Sequence, residues 1–428
     1  MTEARESAAM QVTWACKGES ERLWTRDFIL LIVIAALAST AITTQMGTLP
    51  LYVESLGGST TESGAIVGIL GISALIFRFP TGVMIDKYGR RIMLLIGLGI
   101  LVVDFTLLNV FRTLMILFCL RFLQGIGNGM QTTATSTIAA DLIPPRRLQV
   151  GLGYFSLAQV VPSAIGPMIG LAVVERFGYD ALFVVGVALT AISLLLSLLL
   201  NVAPVRGSGD VCQYPVKATG TVGASGVDGG AKQRGAGSLA LLLRPSVVVP
   251  SAIMFVVFCA AAGVTAFIAQ YSVELHIANV GTYFVVASLS TVVVRLVISP
   301  QLIRFPQPVI IAVSLVMVIV PFFLIAHANN LAVLLLAALL YGAGQANLQP
   351  MMNTLVLQGI EPGQRGRVTA FFSASGDVAY GGGAMLWGYV ASLCGFRMMF
   401  MICGACAACG IVLYAWFVRM GARSAARR

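Results

Sequence analysis

The chain has 428 residues, 58% of them hydrophobic and only 10% charged. A soluble domain carries about a quarter charged residues, so this composition excludes bulk water as the main solvent. The formal net charge of +10 would suit a nucleic-acid surface, but the placement of the charges argues against that reading.

Residues 1–27 hold Glu3, Glu6, Glu19 and Glu21 and no apolar core, so they read as a cytoplasmic N-terminal segment rather than a cleaved leader. Beyond them, apolar stretches of about 20 residues recur, long enough to cross a bilayer as helices. Lipid offers the backbone no partners, so each stretch should close its own hydrogen bonds as an α-helix, and the alternation of a membrane β-barrel is absent. The expected spans are 28–51, 63–83, 91–111, 113–138, 150–173 and 181–202, then 246–270, 280–301, 307–327, 330–357, 368–392 and 396–418. Residues 203–245 between the two sets are rich in Gly, Ser and Ala, include Pro204 and Pro215, and read as a flexible cytoplasmic linker. Residues 419–428 form a basic tail. The expected fold class is an all-α integral membrane protein of twelve transmembrane helices, arranged as an N-terminal six-helix bundle (28–202) and a C-terminal one (246–418).

Of the 27 Lys and Arg residues, Arg78, Arg121 and Arg295 lie inside spans. Only Arg112, Arg176 and Arg397 lie in loops on one side, and all the others lie on the side that carries both termini. Basic residues concentrate on the cytoplasmic side of membrane proteins. Both termini are therefore expected in the cytoplasm, with the chain a multi-pass protein of the cell's inner (plasma) membrane. The positive charge is a topology signal, and no nucleic-acid partner is expected.

The two halves repeat one another at a fixed offset of 217 residues. At that offset Gly64 meets Gly281, Arg78 meets Arg295, Gly125 meets Gly342, Gly127 meets Gly344, Phe155 meets Phe372, Gly166 meets Gly383 and Gly178 meets Gly395. Six spans per half keep both copies in one orientation. Parallel repeats relate the halves by an axis along the membrane normal, with the substrate site between them near the midplane.

Several residue groups carry chemistry. Gly82-x3-Asp86-Lys87-x-Gly89-Arg90-Arg91 joins spans two and three. There Gly82 would let two helices approach closely, Gly89 would permit a tight turn, and Asp86 would meet a helix N-terminus or a basic partner. Arg121 stands inside span four as Arg121-x2-Gln124-Gly125, and a cation at bilayer depth must face protein or a water-filled cavity. Span five carries Gly153-x8-Pro162-x3-Gly166-Pro167-x2-Gly170, where the Gly-Pro pair bends the helix and the small residues would pack against the other half. Two acids lie well within spans, Asp104 in the third and Asp377 in the eleventh. Asp377, next to the glycine run Gly381-Gly382-Gly383, is the first candidate proton carrier and is expected at the central interface. For Asp104, in a span expected at the periphery, a helix-to-helix hydrogen bond is the stronger reading. Arg78 and Arg295 would either bind an anionic substrate or anchor their helices by snorkelling. Gln45, Gln124, Asn128, Gln159, Gln345 and Gln349 are polar residues within spans and, with the two arginines, candidates to line a substrate cavity. The run Cys403-x2-Cys406-x2-Cys409 reads as small packing residues rather than a metal site.

These motifs resemble the major facilitator superfamily over nearly the whole chain, and within it most of all the twelve-span drug:proton antiporter branch. The resemblance implies the major facilitator fold and a cytoplasmic gate at Gly82, Asp86, Lys87, Gly89, Arg90 and Arg91, with Asp141 at the end of span four as partner of Arg90. It implies a proton-coupling role for Arg121, against which stands a structural Arg bonded to backbone carbonyls. The span-five motif is similar to one that marks export, with Pro162 and Leu171 in place of two glycines. Unlike many exporters of the family, the first span has no acid between Asp27 and Glu54.

The expected function is thus a secondary active transporter for proton-coupled efflux of a small organic molecule, a drug or a metabolite, by alternating access. The alternative is an uptake facilitator or proton symporter for a small nutrient. The expected partners are the substrate, protons and the lipid bilayer, and the resemblance implies a monomer. No cofactor is expected. No G-x4-G-K-[ST] loop supplies ATP chemistry, and two histidines with scattered acids do not converge on an enzyme pocket.

Overall fold

The computed structural model describes residues 23–144, 147–201, 242–302, 304–358, 360 and 365–426. Most of the N-terminal segment, almost all of the linker, Arg146 and the last two residues of the tail lie outside the described residues.

Every regular element described is a helix. In chain order these are α1 (Arg26–Thr43), α2 (Leu49–Ser55), α3 (Thr60–Tyr88), α4 (Arg90–Val110), α5 (Leu114–Leu142), α6 (Leu148–Leu198), α7 (Pro245–Glu274), α8 (Gly281–Val293), a π-helical segment Val294–Ile298, α9 (Ser299–Leu302), α10 (Gln307–Ala326), α11 (Leu331–Leu357) and α12 (Arg365–Ala426). α6 carries spans five and six and α12 carries spans eleven and twelve. In each, one glycine separates the two spans, Gly178 (φ 81°) and Gly395 (φ 79°). Positive φ is cheap only for glycine, so the loops expected around both positions shrink to one residue each. The twelve spans are thus present as two sets of six. Span four, α5, holds Arg121, Gln124, Asn128, Gln131 and a Thr-rich stretch, and is not among the helices apolar enough by composition alone to cross a membrane.

Span one differs from expectation. α1 stops at Thr43, and residues 44–48 form tight turns (Gln45 N to Ile42 O 3.2 Å, Met46 N to Thr43 O 3.1 Å) before α2 begins with Pro50 in its first turn. Pro50 has no N–H to continue an α-helical ladder.

Helix starts follow local chemistry. Ser59 and Glu62 form a reciprocal capping box at the start of α3, with Ser59 N donating to Glu62 Oε2 at 2.7 Å. The Asn330 side chain caps α11 by accepting from Val333 N at 3.0 Å.

The apolar cores are separate. Two clusters are built from residues of the first six spans, around Leu31, Leu98 and Ile138 and around Phe105 and Phe183. A third, around Phe267, Phe322 and Phe400, is built from the last six spans plus Val67. Large apolar side chains such as Val83, Leu195, Val313 and Leu386 remain exposed, as befits a surface whose solvent is lipid.

The repeat is visible in packing. At Gly125, α5 crosses α3 against Leu70 and Ser73, and at Gly342, α11 crosses α8 against Ala287 and Ser290. Gly127 packs on Gly97 and Leu101, and Gly344 on Ser314 and Val318. Each contacted residue in one half is 217 positions from its counterpart in the other, so the two bundles use the same helix crossings.

Candidate functional site: a cavity between the halves

The halves meet most closely at the end remote from the Gly82–Arg91 loop. A Cβ on Gly64 of α3 would stand 2.9 Å from Gly388 Cα of α12, and one on Gly68 would collide with the carbonyl of Gly381. Absent side chains thus bring spans two and eleven into backbone contact. Thr61 Oγ1 donates to Ser392 Oγ at 3.0 Å, and Gln270 Nε2 donates to Pro50 O at 3.2 Å and to Glu54 Oε2 at 3.1 Å. On the other side of the axis, Met168 of span five packs on Gly281 of α8.

Between these contacts and the loop end lies a cavity of about 930 Å³. It runs from Thr43 and Met46 to Leu152, Asn353 and Thr369. Each of the last three is about one turn from the loop-side end of its helix. Both halves contribute, with Ser156, Ser163 and Pro167 from span five and Thr291, Tyr341, Gln345, Gln349 and Tyr380 from the second half.

The structure distributes the expected site residues unevenly. Arg295, Gln345, Gln349, Gly153 and Pro167 line the cavity. Gln45 and Gln124 do not, which corrects the expectation for both: they are fully buried inside the first half. There Arg121, also buried, donates from Nη1 to Gln45 Oε1 at 2.9 Å and to Gln124 Oε1, while Gln124 Nε2 donates to Gln45 Oε1 at 3.0 Å. Asp104 completes this cluster. It lies near Arg121 and beside Gln124. The third span does present an exposed face through Ile92, Ile96 and Val103, but Asp104 is on its inner side, with no exposure. Asn128 is half-buried and outside the cavity lining. The side chain of Gln159 lies outside the described residues.

Asp377 forms an ion pair with Arg78, joining span eleven to span two across the halves. Nothing in the motifs pairs two residues so far apart, and Arg78, expected as a cavity candidate, is outside the cavity lining.

In the loop motif, Gly89 takes φ 92° and ends α3, the tight turn its sequence position suggested. Arg90 pairs with Asp141. Both belong to the first half, so the pair ties span three to span four and does not itself bridge the halves. Arg91 Nη2 donates to Leu198 O at 2.6 Å, clipping the end of span six, and the Lys87 ammonium lies 5.1 Å from the ring centre of Tyr88. Among the described residues a Cβ on Gly82 would meet nothing within 4 Å, so the close helix approach expected there is not made among them. The side chain of Asp86 lies outside the described residues.

The span-five motif also packs differently from expectation. Gly166 and Gly170 accommodate Thr43 and Thr44 of span one, in the same half, and Thr43 Oγ1 donates to Pro162 O at 2.9 Å. The small residues seat span five against the broken first span, while its neighbours Met168 and Leu171 reach the other half.

Comparison with known proteins matches this architecture. A family model described as Major Facilitator Superfamily matches residues 31–300 and again 251–427. The chain belongs to the major facilitator superfamily. Among similar proteins is the staphylopine export protein of Staphylococcus aureus (strain Mu50), 22% identical over 83% of this chain and 87% of that protein. Another is the multidrug resistance protein MdtG of Proteus mirabilis, 25% identical over 92% of this chain and 96% of that protein. Among solved structures, a mutant of the nucleoside transporter NupG superposes with a TM-score of 0.74 at 15% identity, covering 92% of this chain and all of that one. The chain is a membrane-spanning transporter of this superfamily and not an enzyme.

Proposed function

We propose that this superfamily member exports a small organic molecule from the cytoplasm across the plasma membrane in exchange for protons, by alternating access. The charge asymmetry of the loops puts the Gly82–Arg91 end in the cytoplasm. The structure is then inward-facing, its outer end closed by the glycine contacts between spans two and eleven and its cavity reaching towards the cytoplasm. The names of two relatives, an export protein and a multidrug resistance protein, favour outward transport.

The observation that carries the coupling is the Arg78–Asp377 ion pair, an acid held by a cation of the opposite half. Protonating Asp377 removes the attraction between the two side chains, so proton binding changes the free energy of separating the halves at this point. Binding that differs between two conformations is what shifts their populations. Release of the proton on the cytoplasmic side restores the pair. Asp104 and Arg121 sit within one half and away from the cavity, which favours a role in holding spans one, three and four together.

The test uses purified protein in liposomes enclosing a pH-sensitive dye, under an imposed proton gradient, with a panel of drugs and metabolites. Substrate-dependent proton flux is expected for one compound class. Substrate movement with no proton flux would replace the exchanger with a facilitator.

A further inference from the structure

Arg78 and Arg295 are equivalent in the internal repeat, yet only Arg78 has an acid. Asp377 is its partner, and the position 217 residues before Asp377 is Val160. The second half of the repeat thus carries the cation without the counter-charge. Arg295 Nη2 makes one long hydrogen bond, 3.4 Å to Ala346 O, and its Nε is buried with no partner. No ion pair reaches Arg295 among the described residues, and it is the one charged side chain among the described residues that line the cavity.

Two further observations set this arginine apart. It sits in the π-helical segment Val294–Ile298, whereas the repeat-equivalent residues 77–81 continue the α-helix of α3. Single π turns inside α-helices occur frequently at functional sites. Three turns away along α8, Tyr283 lines the same cavity, 2% exposed, and its hydroxyl has no partner. A half-buried cation without a counter-charge, its Nε shut away from any partner, and a buried hydroxyl without an acceptor are both costly in isolation, and both belong to side chains that line a space large enough for a ligand.

We infer that the transported molecule is an amphipathic organic anion whose carboxylate head binds the Arg295 guanidinium, with an apolar body extending towards Phe284, Tyr341 and Tyr380. A guanidinium matches a planar carboxylate bidentately, and the aromatic side chains supply the apolar surface. A cationic drug would meet one positive charge and no acid in this lining. The inference rests on the cavity being the substrate site of the proposed transporter, but not on the direction of transport or on proton coupling.

The experiment measures binding to the purified full chain in detergent with no proton gradient, by ligand-dependent thermal stabilisation. The probes are phenylbutyrate, the uncharged phenylbutyramide and the cationic phenylbutylamine. Wild type should be stabilised by phenylbutyrate over the other two. Arg295→Gln should weaken phenylbutyrate binding about tenfold or more, the scale of a hydrogen bond to a charged group, and Arg295→Lys should retain part of it. Raising the salt concentration should weaken binding to wild type and leave Arg295→Gln nearly unaffected. Equal or better binding of phenylbutylamine, phenylbutyrate binding unchanged in Arg295→Gln, or no phenylbutyrate binding up to about 10 mM, below which even weak ligands register, would each overturn the inference. If binding follows Arg295 but liposomes show no proton flux, the coupling reading fails and this one stands.

Discussion

Arg78 of span two and Asp377 of span eleven form an ion pair that crosses from one half of the protein to the other. Their side chains are 38% and 34% exposed, so water screens the pair and its contribution to stability is about 1 kcal/mol or less. Its importance lies in its position. It is the described ion pair that couples a titratable group to the relative placement of the bundles.

Replacing Asp377 should therefore affect transport more than folding. Asp377→Asn is expected to shift the melting temperature by only a few degrees while reducing proton-driven transport about tenfold or more. Thermal unfolding in detergent and flux in liposomes, measured on one preparation, separate the two effects.

The buried cluster in the first half should behave in the opposite way. Arg121 is 2% exposed and bonded to Gln45 and Gln124, with Asp104 nearby. Removing Arg121 leaves the buried amide oxygens that accept from it short of a donor, at a cost of about 1–3 kcal/mol. Arg121→Met is expected to lower thermal stability strongly. The double variant Arg121→Met, Asp104→Asn should recover part of the loss, because an amide at 104 supplies a donor that the acid beside Gln124 does not. Additive losses would dissolve the pairing.

Much of this architecture was legible in the chain, and the reasons differ by residue. The spans were legible because lipid forces self-contained helices. The turn at Gly89 was legible because positive φ selects glycine, whereas at Gly178 and Gly395 only a loop between spans was expected and the one-residue break was not. The partner of Arg90 came through resemblance, at Asp141. The Arg78–Asp377 pair was not legible, because it joins residues 299 positions apart on helices whose relative rotation the sequence does not state. Burial of Gln45 and Gln124 was missed for a related reason: a glutamine lining a cavity and one clasping Arg121 look alike in sequence. Span one looked continuous by hydropathy alone, although Gly47 and Pro50 lie in the stretch where it breaks.

The glycine contacts at the closed end give a conformational prediction. A side chain at Gly68 would collide with the Gly381 carbonyl, so Gly68→Val should disfavour the closed outer end and raise the population of the opposite conformation. In a cysteine-depleted background, a cysteine placed at Ser288 of the cavity should react faster with an impermeant thiol reagent added from outside. Unchanged reactivity would remove these glycines from the closure.

The Arg90–Asp141 pair predicts a coupling within one half. Arg90→Ala and Asp141→Ala should each impair transport, and the double variant should be no worse than the poorer single one, because each substitution removes the same contact. Transport rates of the four proteins at equal amounts in liposomes provide the cycle.

The most direct test of the central claim compares two modes of transport in wild type and Asp377→Asn. One is exchange of labelled for unlabelled substrate with no proton gradient, and the other is accumulation driven by a gradient. The variant should keep exchange and lose gradient-driven accumulation, since it still binds and moves substrate but has no group to carry the proton across the Arg78 contact. Accumulation at the wild-type level in Asp377→Asn would contradict it and place the coupling group elsewhere.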